Sequence, residues 1–200
     1  MTKPKTATEL LTELRRNSDF VAREEFQKQQ ERQADDAFRE EQRELLAELS
    51  EVGIHAASVW DLVNAGDEYP DAIPVLVRHL SLPYGTRVKE GIVRALTVDY
   101  AGHEAIRRLI AEFQKQNDGS EVSLNWVLGN AIATVAKPGD ADALVRLAAE
   151  PSHGKARDMI VSALPRLVRD KAFLDAVLLR LMSDDDVREV AHRVLLKQRR

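Results

Sequence analysis

An apolar frame at i, i+4, i+7 and i+8 recurs four times in this chain. It falls at Val88, Ile92, Ala95 and Leu96, at Leu124, Leu128, Ala131 and Ile132, at Ala156, Ile160, Ala163 and Leu164, and at Val187, Ala191, Val194 and Leu195. The spacing places all four positions on one face of a helix, whereas in a strand of period two the i+7 residue would point the other way. The copies begin 36, 32 and 31 residues apart. A repeat of that length with room for a second helix in each interval predicts two-helix units stacked in a row. One such pair cannot bury its own apolar faces, so neighbouring pairs must complete the core.

The intervals supply the partner helices. By polarity these first helices run over about 70–80, 102–116, 140–149 and 171–182, each followed by a polar break, SLPYGT, NDGS, EPSHG or SDDD. Pro70 suits a first helical turn, and Pro74 loosens the start of the same helix. Pro165 removes a backbone donor late in the third framed helix and predicts a bend or an early end there. Ahead of the repeats, Gly53 reads as a helix terminator. Ser58 with Asp61 three residues on resembles a capping box for a short helix reaching Asn64. Trp60 in that helix reads as core that closes the end of the array.

The N-terminal part has a different composition. Thr6 to Arg16 forms an amphipathic pattern with Leu10, Leu11 and Leu14 on one face. From Phe20 to about Val52 there is no Gly or Pro, and Glu, Gln, Arg and Lys dominate, which predicts one long, largely solvated helix. Glu24 with Lys28 and Asp35 with Arg39 stand at i, i+4, where opposite charges support an exposed helix. Heptads are not sustained, which argues against a regular coiled coil. The expected organisation is 1–52 as an N-terminal helical segment, 53–68 as a short connecting helix, and 69–200 as about four helical hairpins.

Composition narrows the function classes. With no cysteine there is no disulfide framework, thiolate zinc site or cysteine nucleophile, and a reducing, cytoplasmic setting is the natural expectation. No window approaches the roughly 18 apolar residues needed to cross a bilayer, and MTKPKTATELL lacks the apolar stretch of a signal peptide. Residues 1–52 hold 13 acids and 9 bases and the remainder 20 of each, so the net charge of −4 resides in the N-terminal segment. A neutral repeat region argues against nucleic acid, whose binding draws on phosphate contacts.

No constellation points to chemistry. The histidines at 55, 79, 103, 153 and 192 never stand at i+3 or i+4 from one another, which argues against a helical metal site. Asp184, Asp185 and Asp186 lack the spaced ligands and Gly of a calcium loop and read as helix-start carboxylates. No catalytic residue, cofactor or metal is expected.

The segments AIPVLVRHLSLPYGTRVKEGIVRAL at 72–96 and SDDDVREVAHRVL at 183–195 resemble HEAT-like repeats, of the short kind found in bacterial proteins, and the resemblance covers about 69–196. The spacing is shorter than the roughly 40–47 residues usual for HEAT or armadillo units. The middle breaks NDGS and EPSHG also lack the usual acid followed by Val-Arg. The resemblance implies an all-α, right-handed α-α superhelix, an armadillo-type solenoid preceded by the long charged helix. It implies too that the framed helices line a concave face that binds another macromolecule without catalysis.

If the frame points inward, the intervening residues face outward as a ridge. These are Lys89, Glu90, Val93 and Arg94, then Asn125, Trp126, Gly129 and Asn130. Arg157, Asp158, Val161 and Ser162 follow, and then Arg188, Glu189, His192 and Arg193. Trp126 offers the largest rigid contact area with one polar handle, and Gly129 beside it leaves room for an approaching group, unless the register is off by one and Trp126 packs between units. The expected partner-binding set is Trp126, Asn130, Lys89, Arg94, Arg157, Asp158, Arg188 and Arg193. Bases outnumber acids on the ridge, so the expected partner is another protein, with an acidic surface favoured. The chain itself is expected to be a monomer or weak dimer with no membrane attachment. Trp126, Asn130, Arg157 and Asp158 also resemble, in residue type only, the groove of HEAT-like DNA-repair glycosylases. That leaves nucleic-acid binding or repair as the alternative.

Overall fold

The computed structural model describes residues 18–115 and 122–198, and among these every regular element is helical. The expected helix at Thr6 to Arg16 lies outside the described residues. The chain divides into two compact units, one ending at Glu41 and the other beginning at Gln42.

In the first unit, α1 spans Ser18–Glu41. Lys28 pairs with Glu24 at 2.6 Å and Arg39 with Asp36 at 3.3 Å, both on exposed surface, where such pairs contribute only tenths of a kcal/mol. Phe26 is largely exposed.

The single long helix expected through Val52 is interrupted at Gln42, and a separate α2 spans Arg43–Glu51. Gln42 is fully buried. Its Oε1 accepts the Val59 N–H at 3.0 Å and the Ser58 hydroxyl at 3.3 Å. A side chain turned inward to accept from one backbone N–H and one hydroxyl holds the chain at this point, and propensity alone cannot reveal it. Gly53 ends α2 with φ +83, its N–H donating to the Ser50 carbonyl, as a terminating glycine should. The short α3, Trp60–Val63, keeps one half of the expected capping box: the Asp61 carboxylate accepts the Ala57 and Ser58 N–H groups at 2.9 and 3.0 Å, while the Ser58 hydroxyl accepts the Trp60 N–H at 3.3 Å rather than that of Asp61.

Four longer pairs follow. They are α4 (Ala72–Leu80) with α5 (Thr86–Ala95), α6 (Gly102–Lys115) with α7 (Val122–Val135), α8 (Ala141–Ala148) with α9 (Asp158–Leu167), and α10 (Lys171–Leu181) with α11 (Arg188–Gln198). Each pair packs internally, and the second helices also pack in series, α3 on α5, α5 on α7, α7 on α9 and α9 on α11. The first helices pack in series only from α2 through α4 to α6. Among the described residues α8 makes no comparable contact with α6 or α10.

The apolar frame forms the core. Its residues on α5, α7 and at 187–195 are all buried. The third copy departs, since Ala156 and Ala163 are only half-buried. A 3-10 segment, Pro151–Arg157, with Gly154 at positive φ, delays α9 until Asp158 and rotates its buried face. Pro165 lies inside α9, which ends two residues later at Leu167 with Val168 extended.

Candidate functional site

The outward ridge is narrower than helical periodicity alone suggests. On α5, α7 and α9 a second helix lies on both flanks, so residues beside the frame are covered as well as the frame itself. Val93, Asn125, Gly129, Arg157 and Val161, all expected to face outward, are buried. The remaining ridge positions keep solvent access. Lys89, Glu90, Arg94, Asn130 and Asp158 are half-buried, while Ser162, Arg188, Glu189, His192 and Arg193 are exposed.

Trp126 is 48% exposed, although Leu124, Val127 and Leu128 around it are at most 3% exposed. It therefore stands on the outer face of α7, with Asn130 one turn on, and does not pack between pairs. The other tryptophan, Trp60, expected in the core, is half-buried. Its Nε1–H donates to the Arg87 carbonyl at 3.2 Å, its ring lies against Gly91, and Arg94 sits 5.8 Å from its centroid. Arg94 also bonds Glu90, Nε to Oε1 at 2.9 Å, so one face of its guanidinium is already committed.

Gly129 does not open the ridge to a visitor. A Cβ there would collide with the Ala156 carbonyl oxygen, so the missing side chain lets the 3-10 segment approach α7. The gap anticipated from sequence is filled from within.

Arg157 is the largest correction to the expected site. It is 0% exposed. Its Nε donates to the Gly154 carbonyl at 2.8 Å, and Nη1 donates to the Ala148 carbonyl at 3.1 Å and to Asp184 Oδ2 at 2.8 Å. Asp186 lies 3.8 Å from Nη2. The guanidinium thus caps the end of α8, fixes the turn after it and ties that turn to the one between α10 and α11. A buried cation must be paired and hydrogen-bonded, and the SDDD run supplies the pairing. Those aspartates read from sequence as helix-start carboxylates. Asp184 also accepts the Asp186 N–H at 3.0 Å, but its bond to Arg157 is the main reason its carboxyl is held below its ordinary value.

The carboxyl of Asp158 moves the other way. Burial pushes its pKa above 3.8, with Arg193, Lys155 and Arg157 opposing the shift and Asp186 adding to it. Lys89 turns partly inward to Glu112, a buried carboxylate 3.5 Å away that also meets Lys115 at 2.6 Å. Arg188 pairs with Asp185 on the surface.

One polar cluster escaped the sequence altogether. His79 is 1% exposed; its Nε2 lies 3.1 Å from Glu48 and its Nδ1 2.7 Å from the Tyr84 hydroxyl. Glu48 also meets Arg78, whose hydrogen bond is the main cause lowering the carboxyl's pKa. The cluster joins α2 to α4 and to the loop that follows. Its members stand 31 and 5 residues apart in sequence, so no local pattern relates them.

No group of three metal-ligating side chains occurs among the described residues, and no described helix is long and apolar enough to cross a membrane. Compared with family models, with curated proteins and with solved structures, the chain matches none.

Proposed function

We propose that this chain is a HEAT-like helical solenoid that acts as a non-enzymatic protein-binding module, using the outward face of α5, α7, α9 and α11. The observation that carries the reading is Trp126, half exposed on a helix whose neighbouring positions are closed. A large aromatic kept in water at the centre of a rigid face has no role in the core, and such residues dominate binding energy where they are found at interfaces. The serial packing of second helices supports the solenoid architecture, and the Arg166 bonds hold α9 to α7 within that face.

The partner is a protein segment with an acidic surface. Among the described residues of these four helices, seven cations with solvent access (Arg87, Lys89, Arg94, Arg166, Arg188, Arg193, Lys197) face three acids (Glu90, Asp158, Glu189). Such an excess steers acidic partners and disfavours basic ones. Burial of Arg157 removes the one cation among the four residues on which the nucleic-acid reading rested.

Affinity capture with wild type and with Trp126→Ala tests the proposal. Loss of Trp126 should weaken the captured complex by about 2 kcal/mol, roughly 30-fold, while circular dichroism shows an unchanged fold. Equal capture by the variant overturns the assignment of the face. Salt-sensitive shifting of DNA at low ionic strength would instead favour nucleic acid.

A further inference from the structure

The first helices of the last two pairs are tied at one end and open at the other. At the tied end Arg157 bonds the last carbonyl of α8, and Asp184 beyond α10. At the open end an unfilled groove of 460 Å³ lies between the starts of α8 and α10, walled by Pro138, Ala141, Leu167, Val168 and Phe173. The Phe173 ring is 46% exposed on that wall. Smaller hollows of 240 and 220 Å³ lie between α6 and α8, at Ala143 and Leu147 and at Ile106 and Gly139.

The second helices behave differently. α7, α9 and α11 pack in series, and Arg166 on α9 donates to the Ala133 and Ala136 carbonyls at the end of α7. A layer that is packed and latched beside one that is open allows rotation about the packed side. No described hydrogen bond joins α8 to α10 across the groove.

We infer that the α10–α11 pair is a hinged flap, swinging α10 toward α8 about the buried Arg157 ion pairs. Closure carries Phe173 onto Pro138 and Ala141 and removes apolar surface from water. Opening keeps α10 seated on α11 alone. Small rotations of this kind between packed helical elements are the ordinary means by which helical assemblies change shape. The flap carries α11, one end of the proposed binding face, but its basis is the open first-helix layer and not Trp126.

The chain has no cysteine, so paired cysteine substitutions accept spin labels at those two positions alone. Labels at Asp142→Cys and Ala172→Cys report across the groove. Labels at Asp71→Cys and Glu104→Cys report across the packed α4–α6 layer; all four sites are exposed. The expected distance distribution is two-peaked across the groove, with a second peak a few ångströms away, and single and narrow across the control. Filling the groove with Ala141→Phe should collapse the two peaks to one, and Asp184→Asn should broaden both by loosening the pivot. A single narrow peak across the groove, equal in width to the control, overturns the inference. So do two peaks that persist unchanged in Ala141→Phe. If Asp184→Asn loses helicity, the decision rests on the wild-type and Ala141→Phe distributions.

Discussion

Helices α4 and α8 hold equivalent places, each the first helix of its pair, and are nearly the same length at 9 and 8 residues. Their surroundings differ. In α4, AIPVLVRHL, seven residues are buried, so both flanks as well as the inner face are covered. In α8, ADALVRLA, only Leu144, Leu147 and Ala148 are buried. An apolar circumference requires neighbours on three sides, while a one-sided stripe is satisfied by a single partner. Thus α4 packs against α2, α5 and α6, and α8 relies on α9 and the 3-10 turns at its ends. The closed half of the molecule gains rigidity from apolar packing. The open half gains it from polar ties, with Arg157 foremost.

That contrast can be broken most forcefully at Arg157. Arg157→Met removes the cap on α8 and leaves Asp184 unpaired, and should cost about 3 kcal/mol in urea denaturation at neutral pH. A cost near zero would mean that the open half does not depend on its polar ties. Glycines in the two halves provide the next test. Gly129→Ala sets a methyl against the Ala156 carbonyl, a backbone atom that cannot turn aside, and should cost about 2 kcal/mol. Gly91→Ala meets side-chain atoms of Val59 and Trp60 and no backbone atom, so a smaller cost, about 1 kcal/mol, is expected. Equal costs would erase the distinction.

Tyr84→Phe probes the closed half's polar cluster. Removing the hydroxyl from His79 Nδ1 should cost about 1 kcal/mol, less than Arg157→Met, because α4 is held mainly by its apolar contacts. The smallest effects concern pH. Asp184 has a folded pKa below its ordinary 3.8, so its stabilisation is complete above that value and is lost as pH falls below it. Asp184→Asn should therefore flatten the acid side of the stability profile. Asp158 has a folded pKa above 3.8, so its contribution turns unfavourable as pH rises through that window. Asp158→Asn should leave the protein slightly more stable at neutral pH, and a loss of stability there would show that the carboxylate makes a favourable contact.

Legibility followed the range of the interactions. The first helices of the four long pairs were marked to within two residues at either end, because Pro, Gly, Asp and the apolar period act within a turn or two. The Asp61 half of the capping box at Ser58 was readable for the same reason. Trp126 was recognisable as the residue to watch, but periodicity alone left its side open. The break at Gln42 was not readable, since helix propensity favours Gln and its partners are Ser58 and Val59. Arg157 was placed outside because an Arg between apolar positions reads as solvated, and its aspartates lie 27 and 29 residues further on.

What the sequence by itself determined is the four long helix pairs and the inward face of α5, α7 and α11, because these follow from covalent neighbours and a period of 3.6. Tertiary structure alone decided which flanking residues stay wet. A neighbouring helix on each side buried Val93, Asn125 and Val161, the approach of Ala156 consumed the space at Gly129, and the charge of the distant SDDD run drew Arg157 inward. Trp126 remained outside because none of these contacts reaches its part of α7.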